Sequence, residues 1–212
     1  MDDLIELNAK KLSKIQKLLG KQFDFFEAES KESQRLSEMI RKSGSMCKSG
    51  EWKQSKVIDL STMSNGEMAV VDYSLGTDFS TNIKTLDPNA LLYGSIRPYF
   101  EKAGFTVDID YAAGTVYQFV AKNPEMKLWV LCTICSCDFH KYTKTNLKGT
   151  KMPLIGWDEF GKYEAPVPTK ESLRRFNEIC TPLHEEQIRL IRQIRVLKNT
   201  KFTLLKMYFG SN

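Results

Sequence analysis

Apolar residues spaced seven positions apart mark both ends of this chain. Near the start, Ile5, Leu12, Leu19 and Phe26 form one series, with Asn8, Ile15 and Gln22 interleaved three positions on. That spacing puts a single narrow stripe on a helix over 3–26, the pattern of a helix–helix seam. Asn8 and Gln22 fall on the stripe, where a polar side chain either fixes register at a cost in stability or simply meets water. Near the end, Phe176, Leu183, Leu190, Leu197 and Leu204 repeat the step, and Ile179, Ile194 and Leu205 widen the stripe. Thr169 is suited to cap this second helix, Glu171 to its positive first turn and Gly210 to its end, while Pro182 is expected to break or kink it. From Leu183 to Phe209 the helix measures about 40 Å at 1.5 Å per residue. Each stripe needs a cover, either the other helix of the same chain or a second copy. Their length exceeds what a small domain usually covers and favours the second copy. Ile5, Leu12, Ile15, Leu19, Leu183, Leu190, Ile194, Leu197 and Leu204 are the expected seam and dimer residues.

Between the helices the pattern changes. Residues 27–50 are polar and serine-rich, which reads as a linker with a short helical turn at Leu36, Met39 and Ile40. From 51 to 167, β-branched and aromatic residues come in short runs (56–60, 68–73, 90–96 and 114–120) separated by Gly, Pro, Asn and Asp, as in a set of short strands. Glu125 to His140 is long and apolar enough for a buried helix. The expected organisation is a helix over 1–29, a linker over 30–50, a mixed β-rich domain over 51–167 and a helix over 168–212. The class is α+β, a β-rich domain flanked by long amphipathic helices of coiled-coil type.

Composition narrows the functional classes. The longest apolar runs, near 128–134 and 69–71, fall far short of the roughly 20 residues that span a bilayer. The start lacks the basic-then-apolar layout of a secretory signal, so a cytoplasmic location is expected. The five cysteines are odd in number and sparse, and are read as reduced thiols. The net charge of +5 divides as +2 over 1–49, −2 over 50–167 and +5 over 168–212. The middle region is therefore not basic as a whole, yet Lys141, Lys144, Lys148 and Lys151 lie between Phe139 and Trp157 with no acid among them.

Catalytic signatures are missing from the sequence. It has no glycine-rich nucleotide loop and no Gly-x-x-x-x-Gly-Lys-Ser/Thr phosphate loop. Asp87-Pro88-Asn89-Ala90 lacks the second proline and the aromatic residue with which an amino-methyltransferase holds its target base. The sharpest rival is a zinc-dependent enzyme using Cys132, Cys135, Cys137 and His140, residue types that suit zinc. All four lie on one short apolar segment instead of two separated knuckles, which favours core cysteines, and no metal or cofactor is expected.

The stretch Gly149-Thr150-Lys151-Met152-Pro153-Leu154-Ile155-Gly156-Trp157 is followed by Ala165-Pro166-Val167-Pro168 and then by a helix containing Thr181-Pro182-Leu183. In this order the pieces resemble the end of a target recognition domain and the next helix in the S (specificity) subunits of type I restriction-modification systems. Leu4 to Asn8 with Leu12, Ile15, Phe23, Phe25 and Phe26 resembles the preceding spacer helix. Glu51-Trp52-Lys53, Asn65-Gly66 and Leu91 to Pro98 resemble the domain's opening and its middle strand and turn. The resemblance spans nearly the whole chain and departs in one respect: a full S subunit has two recognition domains, and this chain has one.

The resemblance implies a non-catalytic DNA-reading subunit that takes half of a bipartite target. Its implied partners are double-stranded DNA, the modification (methyltransferase) subunits and, through them, the restriction subunit, with the second recognition domain supplied either by a second copy of a half-length subunit or by the remainder of a longer chain. Two modules packed through antiparallel helices would stand about one duplex turn apart, 34–36 Å. Base readout needs Arg or Lys on guanine and Asn or Gln on adenine, carried on loops. Ser80, Thr81, Asn82 and Lys84 form one candidate loop, Lys141, Tyr142, Lys144, Asn146 and Lys148 a second, and Arg97 and Lys151 stand beside them. Arg97 can equally brace its turn, and Lys53, Lys56, Lys102 and Lys151 are phosphate candidates. An interaction protein unrelated to DNA remains a third reading.

Overall fold

The computed structural model describes residues 1–210. In chain order it contains α1 (Asp2–Glu27), β1 (Glu32–Arg35), α2 (Leu36–Met39), β2 (Ile40–Lys42), β3 (Lys56–Ile58), β4 (Ser74–Leu75), β5 (Ile83–Thr85), β6 (Leu91–Gly94), β7 (Ala103–Phe105), β8 (Tyr111–Ala113) and β9 (Val116–Ala121). These are followed by α3 (Lys127–Ile134), α4 (Cys137–Thr145), α5 (Trp157–Gly161), β10 (Glu164–Val167) and α6 (Lys170–Phe209). The α+β class and the two flanking helices are as expected. Among the described residues no helix is long and apolar enough to cross a membrane.

The two seams cover each other within the chain. Asp2 pairs with Lys201 at 2.5 Å, Asn8 Nδ2 donates to Gln193 Oε1 at 3.5 Å, and Ser172 Oγ donates to Glu29 Oε2 at 3.1 Å. As one residue number rises the other falls by nearly the same amount, so α1 and α6 run antiparallel. Leu12, Ile15, Leu19, Leu190 and Ile194 are buried, whereas Ile5, Leu183 and Leu197 are half-buried and Leu204 is exposed. The expectation that a second copy covers the stripes is corrected for this part of the seam. An antiparallel return of α6 along α1, with α3 packed against both, supplies the cover. Phe23 and Phe176 close on Trp129 of α3 with ring centroids 4.8 and 5.2 Å away, and the indole N–H donates to Pro166 O at 2.8 Å.

Pro182 does not break the helix: α6 runs unbroken through it for 40 residues. The proline sits on the exposed face beside Glu178 and Thr181, where water can serve the carbonyl it leaves without a partner. Cys180, His184 and Gln187, on the opposite face, are buried and hold the helix course. Two further expectations change. The 30–50 segment is more than a linker, because β1 pairs antiparallel with β10 and β2 with β9, tying the chain entering the domain to the chain leaving it. The apolar stretch 125–140 forms two helices, separated where Ser136 takes an extended backbone and caps α4 by accepting from Phe139 N.

The domain is built on two four-stranded sheets, β2-β9-β6-β7 and β4-β3-β8-β5. β6, buried along its length, pairs antiparallel with β9 and β7. Gly104 in β7 lets the Met68 carbonyl approach where a Cβ would lie 1.9 Å from it.

The helices grip this domain through polar clamps to its backbone. Gln16 of α1 donates to Gly66 O at 2.7 Å and accepts from Met68 N at 2.9 Å. Arg195 of α6 is buried, and its guanidinium donates to Val71 O at 2.7 Å, Val70 O at 3.1 Å, Thr106 Oγ1 at 2.8 Å and Val107 O. Burial pulls its pKa down, and the contacts replace the water it has lost.

Candidate nucleic-acid interface

Two of the three candidate reading segments meet along one rim of the domain through the β8–β9 turn. Asn82, with a left-handed φ of 61°, accepts at its carbonyl from Gly114 N at 2.8 Å. The neighbouring Thr115 carbonyl accepts from Ser95 Oγ at 2.8 Å. Ser95 O in turn accepts from Ile155 N at 3.0 Å, and Pro153 O from Arg97 N at 2.7 Å. Ser80–Asn82, Arg97 and the 148–154 hairpin thus follow one another, with Ser80, Thr81, Asn82, Arg97, Lys148 and Lys151 all exposed. Lys84 lies behind them on β5, half-buried, its backbone paired with Ala112. The rim lies just past Gly94, where β6 ends. At the other end of that strand, Asp87, Asn89 and Ala90 line a cleft with His184 and Arg192 of α6.

The turn carrying Arg97 is held from several sides. Arg97 is left-handed, with φ 51° and ψ 58°, and its carbonyl accepts from Phe100 N at 3.0 Å. Glu101 is also left-handed, at φ 54°, and accepts at its carbonyl from Gly66 N at 3.2 Å and at its side chain from Lys144 at 2.6 Å. A residue with a Cβ in this conformation costs on the order of 1–2 kcal/mol. Among the described residues four non-glycine positions have positive φ, and Asn82, Arg97 and Glu101, three of them, sit on this rim. Such backbone persists where surrounding contacts over-determine it, as they do here. Arg97, Lys148 and Lys151 have no carboxylate within ion-pair distance among the described residues.

The second candidate segment is corrected in part. Lys141, Tyr142 and Lys144 lie on the helix α4, not on a loop, because Ser136 caps it and Phe139, His140 and Thr143 give it a buried face. Lys141 is spent on Asp138 at 2.9 Å and Lys144 on Glu101 at 2.6 Å, which holds the Glu101 carboxyl below the usual carboxylate range. Tyr142 is half-buried and donates to Glu159 O at 2.8 Å, and burial together with the Glu159 charge pushes its pKa up to about 12. Asn146 Nδ2 donates to Tyr142 O at 2.8 Å, closing the last turn. Of the four like-charged lysines, only Lys148 and Lys151 keep free head groups. Among the other phosphate candidates, Lys53 and Lys56 are exposed, with Lys56 stacked over Tyr73 at 4.7 Å, and Lys102 donates to Leu60 O.

Sequence reasoning passed over the apolar neighbours of Arg97. Tyr99 and Phe100 are exposed with ring centroids 4.8 Å apart, and Met152 and Leu154 are exposed on the adjoining hairpin. The only hint was the Arg-Pro-Tyr-Phe order, since nothing in a single sequence marks an arginine as left-handed. Behind the rim, Tyr93 on β6 donates its buried hydroxyl to Thr143 Oγ1 of α4 at 3.0 Å. Tyr93→Phe is expected to lower stability by about 1 kcal/mol, measured by urea unfolding. An unchanged midpoint would mean that this bond does not help hold α4.

The thiol cluster does not converge. Cys132 is buried, Cys135 Sγ sits 3.6 Å from Ala103 O, Cys137 is exposed, and His140 stacks on Tyr93. Among the described residues no three of His, Cys, Asp and Glu come together in a ligand set. Burial pushes the Cys135 thiol up to about 12, far from a reactive thiolate.

No family model and no curated relative matches the sequence. Solved structures do match. The S subunit of a type I restriction-modification system from M. genitalium aligns over 97% of this chain and 56% of its own, with 14% identity and a TM-score of 0.60. The HsdS subunit from Thermoanaerobacter tengcongensis aligns over 82% and 46%, with 19% identity and a TM-score of 0.53. A chain from a structure described by complex assembly and conformational transition of the type I R-M system aligns over 97% and 52%, with 12% identity and a TM-score of 0.51. The chain thus spans about half the length of the structures it matches. Its fold is that of type I restriction-modification S subunits, with a single domain mounted between two antiparallel helices.

Proposed function

We propose that this chain is a non-catalytic DNA-specificity subunit of a type I restriction-modification system, reading one half of a bipartite target and docking modification subunits. The observation that carries the reading is the rim: unpaired cationic head groups of Arg97, Lys148 and Lys151, beside the polar Ser80–Asn82, on turns held by left-handed residues. Cations hold phosphates and set register, and polar side chains on rigid turns read base edges. A second copy supplies the second half-site. Residues 202–209 of α6 run past the start of α1, and Phe202, Met207, Tyr208 and Phe209 are 68–80% exposed there, an apolar end suited to a homodimer contact.

The test is duplex binding by the chain, alone and assembled with type I modification subunits from the same genome, over a series of salt concentrations. Affinity is expected to fall steeply with salt and to differ between sequences. The double variant Lys148→Gln, Lys151→Gln is expected to weaken binding alike on all sequences and to make the log–log salt slope shallower by about 2. Binding that ignores both salt and sequence would leave an interaction protein unrelated to DNA as the better reading.

A further inference from the structure

We infer that Arg97 is the residue with which this domain reads a guanine through the major groove, so that its half-target contains a guanine whose identity depends on this one side chain. The inference rests on the DNA-reading function proposed for the same rim. It starts from the contrast between the backbone of Arg97 and its side chain. The backbone is anchored at both ends of the residue, by Arg97 N donating to Pro153 O at 2.7 Å and by Phe100 N donating to Arg97 O at 3.0 Å. The next residue is the buried Pro98, which starts a single helical turn ending at the left-handed Glu101. The side chain is exposed and has no hydrogen-bond or ion-pair partner among the described residues.

A left-handed position is most easily filled by glycine or asparagine. An arginine that braced the turn would hydrogen-bond its carbonyls, as the buried Arg195 does to Val70, Val71 and Val107. Arg97 instead projects from a fixed base, so little conformational freedom of its main chain is lost on binding. Its own turn carries Tyr99 and Phe100, both exposed, and such apolar neighbours suit a base edge or a thymine methyl better than a phosphate, which stays hydrated. The planar fork of a guanidinium matches the O6 and N7 acceptors of guanine in two parallel bonds, the most frequent specific contact in protein–DNA recognition. A lysine offers a point charge and no fork.

The experiment begins by selecting preferred duplexes from a randomised pool with the wild-type chain assembled with its modification subunits, then repeats the selection with Arg97→Ala, Arg97→Lys and Arg97→Gly. Glycine removes the side chain while relieving the left-handed backbone, so it reports on readout even if the alanine variant folds poorly. The wild type is expected to require guanine at one position, and the alanine and glycine variants to lose that preference while keeping the others. Affinity for the selected duplex should fall about 5- to 150-fold, and Arg97→Lys should not restore it fully. Replacing that guanine by 7-deazaguanine, which lacks the N7 acceptor, should weaken the wild type and leave Arg97→Gly unaffected. Loss of affinity that is equal on all sequences, with a salt slope shallower by about 1, would make Arg97 a phosphate contact and overturn the inference while leaving the DNA-reading function standing. Unchanged selection by the variants would overturn it as well. A wild type that selects no sequence at all would remove the function on which it rests.

Discussion

Arg195→Met is expected to lower the unfolding free energy by about 4 kcal/mol and the melting temperature by roughly 10 °C. The methionine fills much of the space and removes a buried cation, but it has no donor. The carbonyls of Val71 and Val107 then face an apolar side chain, and the Val70 carbonyl keeps only the Thr106 hydroxyl, 3.0 Å away. Arg195→Lys keeps the charge and gives up the fork that spans both chain segments, so it should recover only part of the loss. Because these bonds join α6 to residues 70–71 and 106–107, the damage falls on the seat of the domain on its helices. Urea unfolding and thermal melts measure the effect, and a melting temperature within about 2 °C of the wild type would show that the clamp contributes little.

The second large effect is acid destabilisation through His184. Its Nδ1 lies 3.3 Å from Gln187 Oε1, its ring packs edge-on to Phe105 at 4.4 Å, and its Nε2 is buried without a partner. Burial, with a smaller contribution from the Lys127 charge, lowers its pKa from 6.5 to about 4. The native state therefore holds the imidazole neutral in a range where the unfolded chain has already bound a proton. Stability contributed by the neutral ring is present above pH 6.5 and is lost as the pH falls toward 4. The loss reaches roughly 3 kcal/mol between pH 7 and pH 4. His140, also lowered by burial, acts in the same direction. Unfolding free energies of the wild type and His184→Met at pH 7 and pH 4.5 test this. The variant should lose clearly less stability on acidification, and equal losses would place the acid sensitivity elsewhere.

Much of the architecture was legible from local patterns. The seven-residue steps placed both helices, and the cap at Thr169 and the stop at Gly210 bounded the second correctly. Punctuated β-branched runs marked a β-rich domain between them. The candidate site was legible only in part. Ser80–Asn82, Arg97, Lys148 and Lys151 lie together on one rim, whereas Lys141 and Lys144 belong to a helix and are occupied by Asp138 and Glu101. Glu101 is 43 residues from Lys144 along the chain, so no inspection of the lysine stripe could have revealed that pairing. The strands at 32–35 and 40–42 were missed for a similar reason. Their residues are polar and short-range signals favoured a loop, but their partners, β10 and β9, lie far along the sequence.

The sequence by itself determined the periods: a 3.5-residue stripe at each end, short β-branched and aromatic runs with turns between, and hence a β-rich domain flanked by two long helices. Periodicity states that a face is apolar and leaves open what covers it. Tertiary structure decided that α6 folds back on α1, that the helix continues through Pro182, which faces water, and that Arg195, 125 residues from Val70, locks the domain onto its helices. It also decided which cations stay unpaired among the described residues. Helix and strand signals act over a few residues, whereas burial, charge pairing and a left-handed arginine depend on contacts that exist only once distant segments have met.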